Sequence, residues 1–290
     1  MNKEKNFGLI GVSGYIAPRH LEAIKETGNV LLAALDLNDS VGILDKYFPE
    51  ANFFTEFERF DRHVYKLLNS KIHNKIDFMT ICSPNHLHDS HIRFSLRSEA
   101  NVICEKPLVL NLWNLDGISE LENKTKCKVN TILQLRLHPS ICDLKKKIKN
   151  GLYSKNNEIE LTYIVPRGNW YLQSWKGEEQ KSGGIVTNIG IHFFDALHYL
   201  FGKTKNSIIN FDTDTKAAGV LMLEKARVKW FLSIDKKDLN LFKEEKVFNS
   251  YRSMKINGEE INFSNGFEDL HLQSYKNILE GNGFSIEETR

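Results

Sequence analysis

The first half of the chain alternates short apolar runs with longer amphipathic segments. The apolar runs, each predicted to form a strand, lie at 7–12, 30–35, 52–54, 77–82, 101–104 and 128–135. The amphipathic segments, each predicted to form a helix, lie at 18–27, 86–99 and 111–124, and a further helix is predicted to begin at the capping-box spacing of 55–58. Parallel strands need crossover connections of this kind, so this half is predicted to be a doubly wound α/β sheet covered on both faces.

The pattern changes after a predicted helix at 139–150, which ends at Gly151. Apolar and polar residues now often alternate singly, as in Val228-Lys229-Trp230-Phe231-Leu232, which suits an antiparallel sheet with one covered face. The predicted strands lie at 158–165, 208–212, 217–223, 228–234 and 251–256. We therefore predict two domains, an α/β domain over 1–136 and an α+β domain with a large, mainly antiparallel sheet over 137–290.

Composition excludes several classes of protein. The chain has 290 residues, and 39 Lys and Arg against 37 Asp and Glu leave a net charge of +2, which gives no strong electrostatic attraction for nucleic acid or an anionic membrane. The four cysteines form no C-x-x-C pair and are interpreted as reduced packing residues. Ser13, Gly14 and Arg19 interrupt the apolar N-terminal stretch before it reaches the length of a signal-peptide core or a membrane span. We therefore expect a cytoplasmic protein with neither nucleic acid nor membrane as a partner.

A glycine-containing turn, Gly11-Val12-Ser13-Gly14-Tyr15-Ile16-Ala17, joins the first predicted strand to the first predicted helix. In a Rossmann domain a dinucleotide pyrophosphate lies here, on the amides of the helix N-terminus. Ser13 and Ile16 or Ala17 stand where the G-x-G-x-x-G pattern has glycines, so an ordinary glycine turn is the alternative. Asp36 ends the second strand and is predicted to accept hydrogen bonds from the adenosine ribose, which favours NAD over NADP. Its alternative role is to begin a turn or cap a helix.

Three further segments carry a family resemblance, and they are Ser83-Pro84-Asn85, Ile103-Cys104-Glu105-Lys106-Pro107-Leu108 and Gly183-Gly184-Ile185-Val186-Thr187-Asn188-Ile189-Gly190-Ile191-His192 with Asp195 beyond. Together they resemble the glucose-fructose oxidoreductase, inositol dehydrogenase and rhizopine catabolism family, abbreviated Gfo/Idh/MocA, over most of the chain. The resemblance implies that 1–136 is an NAD-binding Rossmann domain. It also implies that 137–290 binds the substrate and forms a homo-oligomer, a tetramer or a dimer.

Three other segments narrow the resemblance to one branch of the family, and they are Tyr15-Ile16-Ala17-Pro18-Arg19-His20, Ile132-Leu133-Gln134-Leu135-Arg136 and Arg167-Gly168-Asn169-Trp170-Tyr171. They are similar to the branch that oxidises UDP-N-acetylglucosaminuronate (UDP-GlcNAcA). The resemblance implies NAD-dependent oxidation of the C3 hydroxyl of that sugar to the 3-keto sugar, in bacterial lipopolysaccharide and O-antigen sugar biosynthesis. The alternatives are an NAD-dependent dehydrogenase of a simple polyol or inositol, and a noncatalytic sensor of NAD or a sugar nucleotide. Relatives continue beyond the position of Arg290 into another helix, so we expect lower stability and activity from a chain that ends there.

Lys106 and His192 are the candidate catalytic residues. Lys106 follows a strand of the predicted parallel sheet, at the edge where the nicotinamide ring is expected, and a cationic ring would lower its pKa so that it can accept a proton. The family places a catalytic histidine at the position of His192, and the ordinary histidine pKa suits proton exchange near neutrality. The alternatives are a solvated surface lysine and a buried core histidine. Many family members have an aspartate where this chain has Asn188, which cannot take a proton, so the predicted base is Lys106 assisted by His192.

The motifs and the resemblance together give two sets of binding residues. The NAD-binding set is Gly11, Ser13, Gly14, Tyr15, Ile16, Asp36, Asn38, Ser83, Asn85, His88, Glu105 and Gln134. The substrate-binding set is Lys106, Arg167, Asn169, Lys176, Thr187, Asn188 and His192. Arg167, Asn169 and Lys176 share one loop and are predicted to anchor the phosphates and the carboxylate of a UDP-linked amino-uronic acid, with a solvated charged loop as the alternative.

No metal site is predicted. His86, His88 and His91 lie near Asp89, and imidazoles beside a carboxylate can bind a metal. The i, i+2 spacing nevertheless places His86 and His88 on different faces of a helix, and hydride transfer to NAD needs no metal.

Overall fold

The structure is a computed structural model that describes residues 4–70, 75–153, 155–242, 250–263 and 266–290. It divides into two units, the first formed by Met1–Leu133 with His271–Arg290 and the second by Gln134–Leu270. The predicted boundary lies between 136 and 137, whereas the two units meet in sequence between 133 and 134. The last 20 residues also belong to the first unit and not to the second. The sequence does not indicate the return, since a helical pattern does not specify which core its apolar face joins.

The strands of the first unit are β1 (Asn6–Ile10), β2 (Val30–Leu35), β3 (Asn52–Phe54), β4 (Phe78–Ile81), β5 (Asn101–Cys104) and β6 (Val129–Thr131). They form one parallel sheet in the order β3-β2-β1-β4-β5-β6. In register, Leu9 of β1 lies opposite Ala34 of β2 and Thr80 of β4. This is the strand order of a Rossmann fold, so the predicted doubly wound sheet is confirmed.

The helices between these strands are α1 (Ala17–Glu26), α2 (Ile43–Tyr47), α3 (Phe57–Leu68), α4 (His88–Arg97) and α5 (Trp113–Thr125). The sheet is buried on both faces, since Leu9 and Ile10 are adjacent in β1 but pack in two different apolar clusters. Both residues are at most 2% exposed. The alternation of side chains along a strand therefore supplies a separate core to each face of the sheet.

The strands of the second unit are β7 (Asn157–Ile164), β8 (Thr204–Asp212), β9 (Lys216–Leu223), β10 (Ala226–Ser233), β11 (Tyr251–Ile256) and β12 (Glu259–Glu260). They form a sheet in the order β12-β11-β7-β10-β9-β8. Neighbouring strands are antiparallel except β7 and β10, which are parallel. The predicted large, mainly antiparallel sheet is therefore confirmed.

The helices of the second unit are α6 (Pro139–Lys149), α7 (Trp170–Gln173), α8 (Glu179–Ser182), α9 (Ile191–Phe201) and α10 (Lys236–Leu239). A π-helical turn, Val186–Gly190, leads directly into α9. Apolar side chains of α9, among them Phe193 and Leu197, join one core with Val228 and Leu232 of β10. The chain closes with α11 (Leu270–Leu279) and α12 (Ile286–Thr289), and from His271 onward it belongs to the first unit.

Two details of the sequence prediction are wrong. No side-chain hydrogen bond among the described residues caps α3, whose N-cap is Glu56, so the capping box expected at 55–58 does not form. The strand predicted over 128–135 ends at Thr131, and a 3-10 helix occupies Gln134–Leu137. None of the helices seen in the described ranges is both long and apolar enough to cross a membrane.

Candidate active site

Gly11 makes the tight turn at the end of β1. Its φ is +92°, in the left-handed region that favours glycine, and a Cβ there would lie 2.7 Å from both the backbone carbon of Cys82 and the amide nitrogen of Ser83. These atoms follow β4, which is the neighbour of β1 at the point where the strand order reverses. Ligands of open α/β sheets bind in the crevice at this point. Glycine is therefore required at position 11, because two backbone segments approach each other closely there, beside the expected cofactor crevice.

The N-terminus of α1 follows the turn at Gly11. Its N-cap is Ile16, whose side chain makes no capping hydrogen bond, while the amides of Ala17 and Arg19 donate to backbone carbonyl oxygens of the turn. Pro18 occupies the first turn without needing a hydrogen-bond partner for its nitrogen. Tyr15, a predicted cofactor contact, is 85% exposed beside this turn. An uncapped helix N-terminus after a glycine turn fits the pyrophosphate of a dinucleotide.

Asp36 is held at the end of β2 by two backbone amides. Its Oδ2 accepts from the amide of Ser13 at 2.9 Å, and its Oδ1 accepts from the amide of Asn38 at 2.9 Å. The second bond forms the turn that was the alternative interpretation of this residue. A carboxylate has about four acceptor positions, so these two bonds leave capacity for two ribose hydroxyls. The anchored carboxylate therefore fits an adenosine ribose as well.

Residues after β4 form the next part of the crevice. Ser83 is buried, and its hydroxyl lies 2.8 Å from Nδ1 of His91. Asn85 is also buried, at the start of a 3-10 helix (Asn85–Leu87). Burial lowers the pKa of His91 to about 4, with smaller contributions from two neighbouring histidines, so its ring is neutral and hydrogen-bonded rather than charged.

His88, a predicted cofactor contact, hydrogen-bonds within the protein through both ring nitrogens. The ring is fully buried, with Nδ1 2.7 Å from the carbonyl oxygen of Pro107 and Nε2 2.9 Å from that of Ser83. Burial lowers the pKa of His88, against the opposing effect of these two hydrogen bonds. Both nitrogens face the backbone, so His88 joins the segments after β4 and β5, and its contact with the cofactor stays a prediction.

Glu105, immediately before Lys106, is likewise engaged within the protein. It is 6% exposed, and its Oε1 lies 2.9 Å from Nε2 of His20 and 3.0 Å from Nε2 of His271. Burial by itself would raise the pKa of Glu105, but the hydrogen bonds from the two histidines hold it well below its usual range. Glu105 therefore contacts His20 and His271, which sequence reasoning did not identify, and its contact with the cofactor stays a prediction.

In the second unit, Asn188 lies in the π-helical turn and its Nδ2 donates to the hydroxyl of Tyr171 at 2.6 Å. Burial raises the pKa of Tyr171, so the phenol keeps its proton. Thr187 and His192, the other predicted substrate contacts on this segment, are partly buried. The sequence did not identify Tyr171 as a functional residue, although it belongs to the segment 167–171 that carries the branch resemblance.

The helix that carries His192 is tied down by an ion pair. Arg136 and Asp195 make two hydrogen bonds through Nε, at 3.0 and 3.2 Å, and one through a terminal nitrogen at 2.6 Å. Arg136 is only 5% exposed. Two residues before Arg136, Gln134 has a buried Oε1 with no partner in the part of the chain that the structure describes. An unsatisfied buried acceptor fits a ligand hydroxyl or amide, as the predicted cofactor contact requires.

The predicted anchors for the sugar nucleotide do not lie on the single loop expected from the sequence, because α7 separates Arg167 and Asn169 from Lys176, which lies in a 3-10 helix (Trp175–Gly177). Arg167 and Asn169 are exposed, and Lys176 places Nζ 4.3 Å from the ring centre of Trp175 and 5.7 Å from that of Trp170. Aromatic faces hold an ammonium group without neutralising it. Lys176 therefore offers positive charge on a fixed side chain, as an anionic substrate needs. Lys106 belongs to the first unit and His192 to the second. The predicted NAD-binding residues other than Gln134 lie in the first unit, and the predicted substrate-binding residues other than Lys106 lie in the second.

Comparison with known proteins identifies both units. Residues 5–132 match the NAD-binding Rossmann fold of the Gfo/Idh/MocA oxidoreductase family. Residues 145–221 match the C-terminal alpha/beta domain of the same family. Crystal structures of the WlbA (WbpB) dehydrogenase from Thermus thermophilus are similar at 47% identity, covering 98% of this chain and 91% of that one. Its complex with NAD and alpha-ketoglutarate superposes with a TM-score of 0.92, and its complex with NAD and UDP-GlcNAcA with 0.91.

Two curated relatives are more distant. The myo-inositol 2-dehydrogenase of Thermotoga maritima is 25% identical over 198 residues, and the oxidoreductase YteT of Bacillus subtilis is 25% identical over 170 residues. The matched regions are 68% and 57% of this chain, respectively. The chain spans only 54% of the length of the first protein and 38% of the second.

Proposed function

Because the chain belongs to the Gfo/Idh/MocA oxidoreductase family, we propose that it oxidises the C3 hydroxyl of UDP-GlcNAcA to the 3-keto sugar with NAD, in bacterial lipopolysaccharide and O-antigen sugar biosynthesis. The observation that carries the proposal is the 47% identity, over 98% of the chain, to a dehydrogenase solved with both NAD and UDP-GlcNAcA. The myo-inositol dehydrogenase shares only 25% identity, so a polyol is the weaker candidate. The proposal includes a cytoplasmic homo-oligomer.

The residues of this chain divide the chemistry between them. NAD, when bound, supplies the hydride acceptor for the hydrogen on C3. Lys106 takes the proton from the C3 hydroxyl as that hydrogen leaves, so the sugar loses two hydrogens and C3 becomes a ketone. His192 assists the proton transfer, as the family resemblance implies. Asn188 has an amide in place of a carboxylate, so it orients the sugar by hydrogen bonding and leaves the proton to Lys106.

Binding uses the other predicted residues. Asp36 accepts hydrogen bonds from the ribose hydroxyls of NAD, while the amides of Ser13 and Asn38 hold its carboxylate in place. Its negative charge disfavours the 2′-phosphate of NADP. Arg167 and Lys176 neutralise the charged groups of the UDP-uronate. A simple polyol has no such charges, so these two residues support the sugar nucleotide over the alternative substrate.

The complex of the Thermus relative with alpha-ketoglutarate suggests a second half-reaction. We propose that alpha-ketoglutarate restores NAD, its ketone carbon accepting hydride from NADH and its oxygen accepting a proton to give 2-hydroxyglutarate. The test supplies UDP-GlcNAcA and alpha-ketoglutarate, both in excess over NAD, and measures 2-hydroxyglutarate by mass spectrometry. Formation of that acid with continued sugar oxidation supports the cycle, and oxidation that stops once NAD is consumed contradicts it.

The primary test incubates the pure protein with NAD and either UDP-GlcNAcA or myo-inositol. We expect absorbance of reduced cofactor and a sugar product lighter by two hydrogens with UDP-GlcNAcA alone. Turnover of myo-inositol instead would establish the polyol alternative. Binding of NAD and UDP-GlcNAcA without any turnover would establish a sensor.

A further inference from the structure

A chain of buried hydrogen bonds reaches the residue before Lys106 from three separate parts of the sequence. We define the Glu105 array as Thr80, Tyr275, His20, Glu105 and His271. The hydroxyl of Tyr275 lies 2.9 Å from Oγ1 of Thr80 and 2.9 Å from Nδ1 of His20. His20 and His271 then meet at one oxygen of Glu105, at 2.9 and 3.0 Å. All five residues belong to the first unit, and each is at most 6% exposed.

The hydrogen atoms of the array can be assigned from its contacts. Glu105 is ionised and accepts only, so both histidines donate to it through Nε2–H. Burial lowers the pKa of His20, so its ring is neutral and its Nδ1 accepts from the hydroxyl of Tyr275. The hydroxyl of Tyr275 has only one hydrogen, which it donates to His20, so its oxygen accepts a hydrogen bond from the hydroxyl of Thr80. The Nδ1 of His271 has no hydrogen-bond partner in the described ranges.

The array connects to Lys106 through the second oxygen of Glu105. Oε2 accepts from the backbone amide of Lys106 at 3.3 Å, while the amide of Glu105 itself donates to Ile81 of β4. The carboxylate thus folds back over the peptide that carries Lys106. Two imidazoles hold its other oxygen, so the orientation of that peptide depends on both histidines.

We propose that His20 and His271 are positioning residues for Lys106 and act through the carboxylate of Glu105. The proposal rests on the proposed function, in which Lys106 takes the proton from the substrate. A displacement of about 1 Å at a catalytic group can reduce a rate about 100-fold. Two donors on one carboxylate oxygen restrict its movement more than one, and a buried site has no water to replace a lost donor.

A metal ion is the competing explanation of the same residues. His20, Glu105 and His271 each offer a ligand atom, and these atoms lie within 4.8 Å of one another. Ligands at 2.0–2.1 Å from a tetrahedral zinc ion would be roughly 3.3 Å apart. The observed distances of 2.9 and 3.0 Å between Nε2 and Oε1 are those of N–H···O bonds. The geometry therefore favours hydrogen bonding over coordination.

The test compares His271→Leu with His271→Gln. Leucine keeps apolar volume and removes the donor, whereas the glutamine amide can place an N–H near the former Nε2. The control is His63→Leu, a half-buried histidine on α3 outside the array. Two measurements are made on each variant with its fold checked by thermal unfolding. They are exchange of the Lys106 amide hydrogen by NMR, and kcat and KM for UDP-GlcNAcA oxidation.

We expect His271→Leu to accelerate exchange of the Lys106 amide about tenfold or more, the effect of losing a hydrogen bond to a charged group. Its kcat should fall by a similar factor or more while KM for NAD changes less than about threefold. His271→Gln and His63→Leu should stay within about threefold of the parent in both measurements.

Equal effects of His271→Leu and His271→Gln would overturn the proposal, as would stoichiometric metal in the purified protein. Should the parent protein fail to oxidise UDP-GlcNAcA, the proposed function fails. The positioning role of the Glu105 array is then judged by exchange of the Lys106 amide alone. Unchanged exchange in His271→Leu overturns that role. Exchange that is accelerated in His271→Leu and restored in His271→Gln supports it.

Discussion

Gly11→Ala tests whether the close approach of β1 to the segment after β4 creates the cofactor crevice. The substitution adds one methyl group at φ +92°. That methyl would lie 2.7 Å from the carbon of Cys82, 2.7 Å from the nitrogen of Ser83 and 2.8 Å from the oxygen of Cys82. All three are backbone atoms, so no rotation of a side chain relieves the contact.

The magnitude has two parts. A left-handed conformation costs an alanine about 1–2 kcal/mol, and forcing an extra methyl group into a packed site costs about 1–3 kcal/mol. We expect Gly11→Ala to lower the free energy of unfolding by about 2–5 kcal/mol, the sum of the two. Gly28→Ala is the matched control, since Gly28 has φ +72° but a Cβ there would meet no described heavy atom within 4 Å. Gly28→Ala should therefore lose only the roughly 1–2 kcal/mol that the left-handed conformation costs an alanine.

The assay is urea unfolding of both variants, together with NAD affinity by calorimetry. Gly11→Ala should be less stable than Gly28→Ala by about 1–3 kcal/mol. It should also bind NAD at least about tenfold more weakly, because the strand ends must separate where the pyrophosphate lies. Equal stability and equal NAD affinity in the two variants would refute the reasoning.

Three further predictions concern other groups. Asp195→Asn removes the carboxylate that pairs with the buried guanidinium of Arg136, and it should lower the free energy of unfolding in urea by about 3–5 kcal/mol. Adding Arg136→Met to this variant should recover part of the loss. A loss under about 1 kcal/mol would contradict the buried ion pair. His91, with its pKa lowered to about 4, binds its proton more weakly when folded, so stability should fall as the pH is lowered from about 6.5 to 4. The same acid titration of His91→Phe should show a smaller fall, and an equal fall would be inconsistent with this assignment. Lys106→Ala should abolish turnover while NAD affinity stays nearly unchanged, and a substantial residual rate would exclude Lys106 as the base.

Several strands were predictable to the residue because local signals bound them. Val30–Leu35, Asn52–Phe54 and Asn101–Cys104 coincide with the predicted runs, each short, apolar and followed by polar residues. The run at 128–135 was misjudged because Ile132, Leu133 and Leu135 are buried outside the strand. Burial alone therefore produced an apolar pattern that periodicity could not distinguish from a strand.

The candidate site shows the same division between local and long-range information. Gly11, Asp36 and Lys106 could be predicted as site residues because a turn, a strand end or a short motif marks each one. His271 lies 166 positions from Glu105 and Tyr275 lies 195 from Thr80, so no spacing rule could join them. The same is true of the roles of Glu105 and His88, whose polar atoms are directed to internal partners that only the folded chain brings near.

Oxidation of UDP-GlcNAcA carrying deuterium at C3 measures the proposed reaction most directly. The account predicts that the deuterium appears in the reduced cofactor and is missing from the keto sugar, with transfer lost in Lys106→Ala. Reduced cofactor without deuterium, or a sugar that keeps its label, would contradict hydride abstraction from C3.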